Sequence, residues 1–137
     1  MQDYRKLRVW KHSHELVLRV RQATNRFPRT GYASLRTQIT DAAESIPCNI
    51  VEGCGTDSQA ELVRFLEFSI KSSMELEYQL KLSRDYGILP QSEWDKLTTD
   101  TIDARRMLCG FRAKVRASCS KFARKNAKRK NRKRKPR

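Results

Sequence analysis

Lysine and arginine crowd the C-terminal end of this sequence. Residues 121–137 hold 11 of the 30 basic residues and no acidic residue. Clustered cations of this kind bind phosphate by releasing condensed counterions, and such clusters are typical of nucleic-acid-binding segments. The chemistry indicated is therefore phosphate binding with a steep salt dependence. An anionic membrane is a poorer partner, because no apolar face accompanies these cations.

Charge changes sign along the rest of the chain. Residues 1–36 carry nine basic and two acidic residues (+7), residues 37–103 carry five and thirteen (−8), and residues 104–120 carry five and none (+5). With the C-terminal segment the formal net charge is +15. Basic ends therefore flank an acidic middle.

Residues suited to catalysis or metal binding are sparse. His12 and His14 stand two positions apart on one predicted helix, so they point to different faces and cannot chelate one metal ion together. The carboxylates of Glu75 and Glu77 diverge in the same way. The segment Gly53–Gly55 lacks the following lysine that a phosphate-binding loop requires. We expect no enzyme activity, no metal and no cofactor.

Cysteine spacing and hydropathy indicate the cellular compartment of the protein. The cysteines lack the close pairs of zinc and redox sites, so we expect reduced thiols. Cys54, between two glycines, is either exposed and reactive or a small residue that fills space at a turn. No apolar run approaches the roughly 20 residues of a membrane span, and the polar N-terminus lacks a signal-peptide core. We expect a cytoplasmic protein. The four cysteines are Cys48, Cys54, Cys109 and Cys119.

The elements that position these groups are predicted to be helices. Apolar residues recur at helical spacing over residues 7–27, with Asp3 as a plausible N-cap, and the Phe27-Pro28 pair ends this helix. A second helix begins near Ser34, and Pro47 should kink it. It should end at Gly53–Gly55, where a glycine can adopt the left-handed conformation.

The third helix begins with a capping box, in which Ser58 is the N-cap and Glu61 its partner. The helix runs to about Tyr86 and stops at Gly87. One of its stripes contains serines, which permit close helix approach. A second stripe predicts an additional neighbour and hence oligomerisation. This second stripe consists of Val63, Ile70, Met74 and Tyr78.

The fourth helix is expected to start with Ser92 as its N-cap, and its apolar stripe continues without a break from Trp94 to Phe122. Beyond Phe122 the apolar period disappears. We therefore predict one domain over residues 1–122 and a basic, disordered tail over residues 123–137.

Long helices with short links pack as antiparallel neighbours, so the prediction is an all-α, up-down-up-down four-helix bundle. In this topology the start of helix one and the end of helix four share one pole. The predicted nucleic-acid-binding residues of the bundle are Arg5, Lys6, Arg8, Lys11, Arg112, Lys114 and Arg116, although these are equally consistent with ordinary solvated surface. Those of the tail are Lys121, Arg124, Lys125, Lys128, Arg129, Lys130, Arg132, Lys133 and Arg134.

Four positions near the predicted kink are structural or interface candidates: Pro47, Asn49, Glu52 and Gly53. The side chains of Asn49 and Glu52 are placed to satisfy the backbone group that Pro47 frees. The alternative is that these two side chains form hydrogen bonds across a subunit interface.

Several of these segments resemble a known family. The distinctive string runs from Ser45 through Ile46, Pro47, Asn49, Ile50 and Glu52 to Gly53. Further matches are Leu7 to Trp10, His14 to Leu16, Thr24, Phe27-Pro28, Leu35, Gln38, Ala42-Ala43, Ser58, Glu61, Phe65-Leu66 and Glu75 to Leu80. Over roughly residues 4–120 the chain resembles the bacterial four-helix-bundle proteins encoded in intervening sequences of large-subunit rRNA.

The resemblance implies a bundle that assembles into a ring-like homopentamer and has no catalytic residues. It also implies kinship with the accessory proteins of diversity-generating retroelements, which bind a reverse transcriptase and its template RNA. Five chains would carry 5 × 15 = +75 formal charges, which favours a polyanionic partner such as RNA. The long basic tail is not a regular feature of that family.

Two functions follow as expectations. The first is a non-enzymatic, basic RNA-binding scaffold that acts as a reverse transcriptase accessory factor on template RNA. The alternative is a structural or protein-interaction bundle of the rRNA intervening-sequence type, without specific RNA binding.

Overall fold

The computed structural model describes residues 1–134 and residue 136 and contains only helices within them. A 3-10 turn, Tyr4–Lys6, precedes four α-helices: α1 (Arg8–Asn25), α2 (Ala33–Cys54), α3 (Gln59–Asp85) and α4 (Gln91–Arg134). The all-helical prediction is confirmed, and the helix bounds agree with the apolar spacing to within a few residues except at the end of α4.

Helices adjacent in the chain run antiparallel. The hydroxyl groups of Ser45 and Ser72 lie 2.8 Å apart across α2 and α3, whereas Gly53, later in α2, faces Leu62, earlier in α3. Helix α3 packs on α4 in turn, and α1 packs on both α2 and α4. The four helices therefore close around a single core.

Side chains from all four helices fill this core. Close approach of α2 and α3 depends on small residues, as the serine stripe predicts: Ser69 is fully buried and its hydroxyl donates to the carbonyl of Ile46 at 2.9 Å. The α4 stripe is buried at intervals from Leu97 to Val115. The largest buried side chains include Leu16, Ile39, Ile46, Ile50, Leu66, Leu76, Leu80 and Leu108.

The helix ends match the predicted caps only in part. The hydroxyl of Ser58 accepts from the amide of Glu61 at 3.3 Å, which confirms that cap. Asp3 instead caps the short 3-10 turn before α1. Gly55 follows α2 with φ −77°, so the expected left-handed glycine there is wrong; the described glycines with positive φ are Gly31 and Gly87. Ser92 lies inside α4, which begins one residue earlier.

The C-terminal segment differs most from expectation. Residues 123–134 continue α4 as helix instead of forming a disordered tail; the prediction for Lys135 and Arg137 falls outside the described residues. Lysine, arginine and alanine are strong helix formers, and neither glycine nor proline occurs between Gly110 and Pro136. Because it lacks an apolar stripe, this segment does not pack on the bundle, but it remains helical. The division into two domains remains a prediction.

The described helices include none that is both long and apolar enough to cross a membrane.

Candidate nucleic-acid interface

The start of α1 and the middle of α4 lie side by side, at the pole where the predicted topology places the end of the packed bundle. Lys6, Arg8 and Lys114 border one cleft between these segments. Within the described residues none of the three forms a salt bridge, and the same holds for exposed Lys11 one turn along α1. Unpaired surface cations are available to phosphate. The bundle therefore contributes a small group of free positive charges at this pole.

Three of the seven bundle cations predicted to bind nucleic acid are instead paired with carboxylates. The guanidinium of Arg5 donates to Asp3 at 3.0 Å, and hydrogen bonds from Arg5 lower the pKa of the Asp3 carboxyl. Glu67 on α3 lies 2.5 Å from Arg116 and 3.9 Å from Arg112. These three arginines do not form the open cationic surface that the sequence predicts.

The acidic residues arrive at this pole through the α2–α3 connection. The chain turns there between α2 and α3, and the backbone amide of Gln2 donates to the Cys54 carbonyl at 3.0 Å, which ties the N-terminus to the same end. Asp57 lies 3.6 Å from the N-terminal ammonium group. Acidic residues from the middle of the sequence therefore lie at this pole and neutralise part of its positive charge.

The C-terminal part of α4 is the strongest electrostatic feature. Val115 is the last buried residue of the helix, so the segment from there to Arg134 extends for about 28 Å without a buried side chain. At 3.6 residues per turn, five of the basic residues fall within an arc of about 60°. This basic stripe consists of Lys114, Lys121, Lys125, Lys128 and Arg132.

The remaining tail cations surround the basic stripe. All are exposed, and no salt bridge involves them within the described part of the chain. They are Arg124, Arg129, Lys130, Lys133 and Arg134. Lys114 in the cleft lies on the same face of α4 as the tail members of the basic stripe, so free cations lead from the bundle onto the projecting helix.

The side chain of Asn49 binds different groups from those expected near Pro47. Helix α2 continues through Pro47, and a kink there remains a prediction. The Asn49 amide donates to the carbonyl of Ser45 at 2.8 Å and to its hydroxyl at 2.9 Å, not to the carbonyl of Ala43 that proline leaves free. Glu52 is exposed and borders an apolar cleft between α1 and α2. Hydrogen bonding of Asn49 and Glu52 across a subunit interface remains a prediction.

Gly53 has a packing role that spacing alone does not indicate. A Cβ atom at this position would lie 2.9 Å from Cδ1 of Leu62 and 3.0 Å from Cβ of Phe65. Glycine therefore permits the close approach of α2 and α3.

The polar residues dismissed as catalytic candidates take part in packing. The ring Nε2 of His12 lies 2.9 Å from the carbonyl of Asp100, and His14 stacks on Trp10. Cys54 is buried, which raises the pKa of its thiol and fits the filler interpretation. No cluster of three His, Cys, Asp or Glu side chains suited to a metal ion occurs among residues 1–134 and 136.

Comparison with known proteins places this arrangement in a family. A solved structure of a protein of unknown function from the S23 ribosomal protein family of Bacteroides thetaiotaomicron has a similar fold, with a TM-score of 0.71 at 21% identity over 75% of this chain and 96% of that one. No match was found among curated proteins. The profile of the 23S rRNA-intervening sequence protein matches residues 5–110. The chain therefore belongs to the 23S rRNA-intervening sequence protein family.

Proposed function

We propose that the protein is a non-enzymatic RNA-binding scaffold that grips RNA phosphates with the projecting end of α4. The observation that carries the proposal is the set of nine exposed tail cations from Lys121 to Arg134, which lack an acidic partner in the described structure. The body carries 19 basic and 15 acidic residues, so the tail supplies most of the net charge. Membership in an rRNA-related family supports RNA as the polyanion.

The projecting helix suits phosphate binding for two reasons. Successive cations of the basic stripe beyond residue 120 are about 4.5–6 Å apart along the helix axis. A helix also fixes their direction, so less side-chain and backbone entropy is lost on binding than in a disordered tail. Cations in the last turn are in addition favoured by the negative end of the helix dipole.

The finer role comes from the sequence resemblance. We include in the proposal that the protein serves as an accessory factor of a reverse transcriptase and presents template RNA to it from a homopentamer. The motifs shared with that family and the charge that five copies would concentrate support this role. Co-purification of a reverse transcriptase encoded by a neighbouring gene, with RNA removed by nuclease, tests this part separately.

The experiment for RNA binding compares two variants with the same loss of four charges. The tail variant replaces Lys125, Lys128, Arg129 and Arg132 by glutamine. The control variant replaces four exposed cations at the opposite pole, Arg21, Arg29, Lys81 and Lys96. RNA affinity is measured from 50 to 400 mM salt for both.

Each lost single-strand phosphate contact should reduce the slope of log K against log salt by about 0.7. The tail variant is therefore expected to bind more weakly and with a slope flatter by up to about 2.8. The control variant should change little. Equal effects of both variants would show that net charge alone acts, and no effect of the tail variant would refute the proposal.

A second candidate function is protein interaction through α3, as a structural bundle without specific RNA binding. The observation that favours it is the outward side of α3, where Met74 is 53% and Tyr78 60% exposed. Large apolar side chains one turn apart favour contact with another protein surface. Replacement of both by lysine should lower the mass measured by light scattering if this side holds subunits together. An unchanged mass would exclude this face from assembly.

A further inference from the structure

The cleft at the junction of α1 and α4 combines an apolar floor with a cationic rim. Its volume is about 420 Å³, within the range of about 300–1,000 Å³ typical of small-molecule sites. Leu7, Met107 and Phe111 supply apolar surface. The rim cations are Lys6, Arg8 and Lys114.

Gly110 lines the same cleft and has no packing role in the described structure. It is exposed in the interior of α4, and a Cβ atom added there would have no atom within 4 Å apart from the adjacent backbone of α4 itself. Glycine is unfavourable inside a helix, so this residue weakens α4 without relieving a clash. By contrast, Gly53 is required by close packing. The absent side chain at residue 110 does have one local effect, which is to leave the cleft open.

Charge indicates the kind of ligand. The rim cations have no salt-bridge partner within the described residues, whereas nearby Arg112 and Arg116 are held by Glu67. A ligand that matches the cleft has a flat, weakly polar part for the floor and negative charge on either side for the rim. An unpaired nucleobase with its flanking phosphates has both, and aromatic or apolar side chains beside cations are the usual means of holding such a base.

The geometry points to a binding site for one unpaired nucleotide of RNA in this cleft, with the base against Met107 and Phe111 and the adjacent phosphates on Lys6, Arg8 and Lys114. This inference rests on the proposed RNA binding and deepens it. The basic stripe starts at Lys114, so an RNA strand that leaves the cleft continues along the projecting helix. RNA with a bulged or looped base is then preferred over a fully paired stem, which keeps its bases stacked.

The test fills the cleft from Gly110 in the full-length chain. Gly110→Leu places a side chain in the opening, and Gly110→Ala is the matched control with only a methyl group. Leucine and alanine both favour helix over glycine, so folding should be retained, and circular dichroism checks it. The probes are a hairpin RNA with one unpaired uridine bulge and a fully paired hairpin with the same stem, both closed by a non-nucleotide linker so that the loop offers no base.

Wild type should bind the bulged hairpin about tenfold more tightly, since stacking of one base on an aromatic side chain corresponds to a factor of this order. Gly110→Leu should lose that preference while its affinity for the paired hairpin stays unchanged, and Gly110→Ala should keep most of it. With 4-thiouridine at the bulge, photocrosslinks should map to the peptide that contains Met107 and Phe111.

Three results would overturn the inference. The first is equal affinity of wild type for both hairpins. The second is an equal loss of affinity for both hairpins in Gly110→Leu, and the third is crosslinks that map only to the tail. A change in mass of Gly110→Leu without RNA, with the bulge preference intact, would assign the cleft to a second copy of the chain instead. If wild type binds neither hairpin, the proposed RNA binding itself is wrong, and this outcome is distinct from the other results.

Discussion

Replacement of Glu67 by glutamine should strengthen RNA binding. The Glu67 carboxylate lies 2.5 Å from Arg116 and 3.9 Å from Arg112, so it competes with phosphate for both guanidinium groups. Arg116 is 53% exposed and can turn to solvent once the charge is removed. Arg112 is 27% exposed and its Nε is buried, so its release should be less complete.

The size of the effect follows from counterion release. One single-strand phosphate contact adds about 0.7 to the magnitude of the salt slope, which corresponds to about fivefold in affinity at 0.1 M relative to 1 M salt. We expect a slope steeper by about 0.7 if Arg116 alone is released and by about 1.4 if Arg112 follows. The affinity should then rise about fivefold to 25-fold at 0.1 M salt. Loss of these partly exposed ion pairs should cost less than about 1 kcal/mol of stability.

The assay is fluorescence anisotropy with a single-stranded RNA oligonucleotide between 50 and 400 mM salt. Asp85→Asn is the matched control, because it removes one charge from the same helix and from a similar contact with Arg84 at 3.1 Å. Asp85 lies about 27 Å farther along α3, several Debye lengths away at physiological ionic strength. Equal gains in both variants would show an effect of net charge and refute the masking by Glu67. The double variant Glu67→Gln with Arg116→Gln should lose the gain.

Three further predictions concern the fold and the tail. Gly53→Ala should destabilise the protein by roughly 1–3 kcal/mol through overpacking between α2 and α3. Gly110→Ala should stabilise it by up to about 1 kcal/mol. Thermal unfolding of both variants tests whether the two changes in stability have opposite signs. Cys54 should react with a thiol reagent far more slowly than exposed Cys48 at pH 8, because burial protects the Cys54 thiol and its raised pKa reduces the thiolate fraction. Mass spectrometry of partly labelled protein measures the two rates, and equal rates would contradict the prediction. Helical signal from residues 121–134 should increase with salt, since like charges three and four residues apart repel. Circular dichroism of the glutamine tail variant, which keeps five of the nine tail cations, should show a smaller increase.

Helix positions followed from the sequence because the core is built from one apolar stripe per helix. The spacing of Leu97, Thr101, Ala104 and Leu108 predicts a buried face, and all four side chains are buried. The same argument failed at Phe122, which is 69% exposed. Periodicity identifies a face that can be buried, but burial also requires a neighbour at that height, and α4 extends beyond its neighbours.

The salt bridges at the pole were not predictable in the same way. The sequence places Glu67 in an acidic middle segment and Arg116 in a basic one, 49 residues later. Their contact depends on the register of α3 against α4, which apolar spacing does not determine. Gly53 and Gly110 show the same limit, because only packed coordinates reveal that one glycine avoids a clash and the other faces open space.

The tail and the bundle should therefore contribute differently to recognition. Phosphate contacts position a protein on nucleic acid but carry no information about bases, so exposed tail cations increase affinity for any strand. Discrimination requires apolar or hydrogen-bonding surface next to the free cations, and the bundle provides this at the cleft that Phe111 and Lys114 border. Since the basic stripe starts at that cleft, the tail raises the local concentration of RNA at the site where selection is proposed. Weakening the tail should reduce the affinity for bulged and paired hairpins by the same factor, whereas filling the cleft should change their ratio.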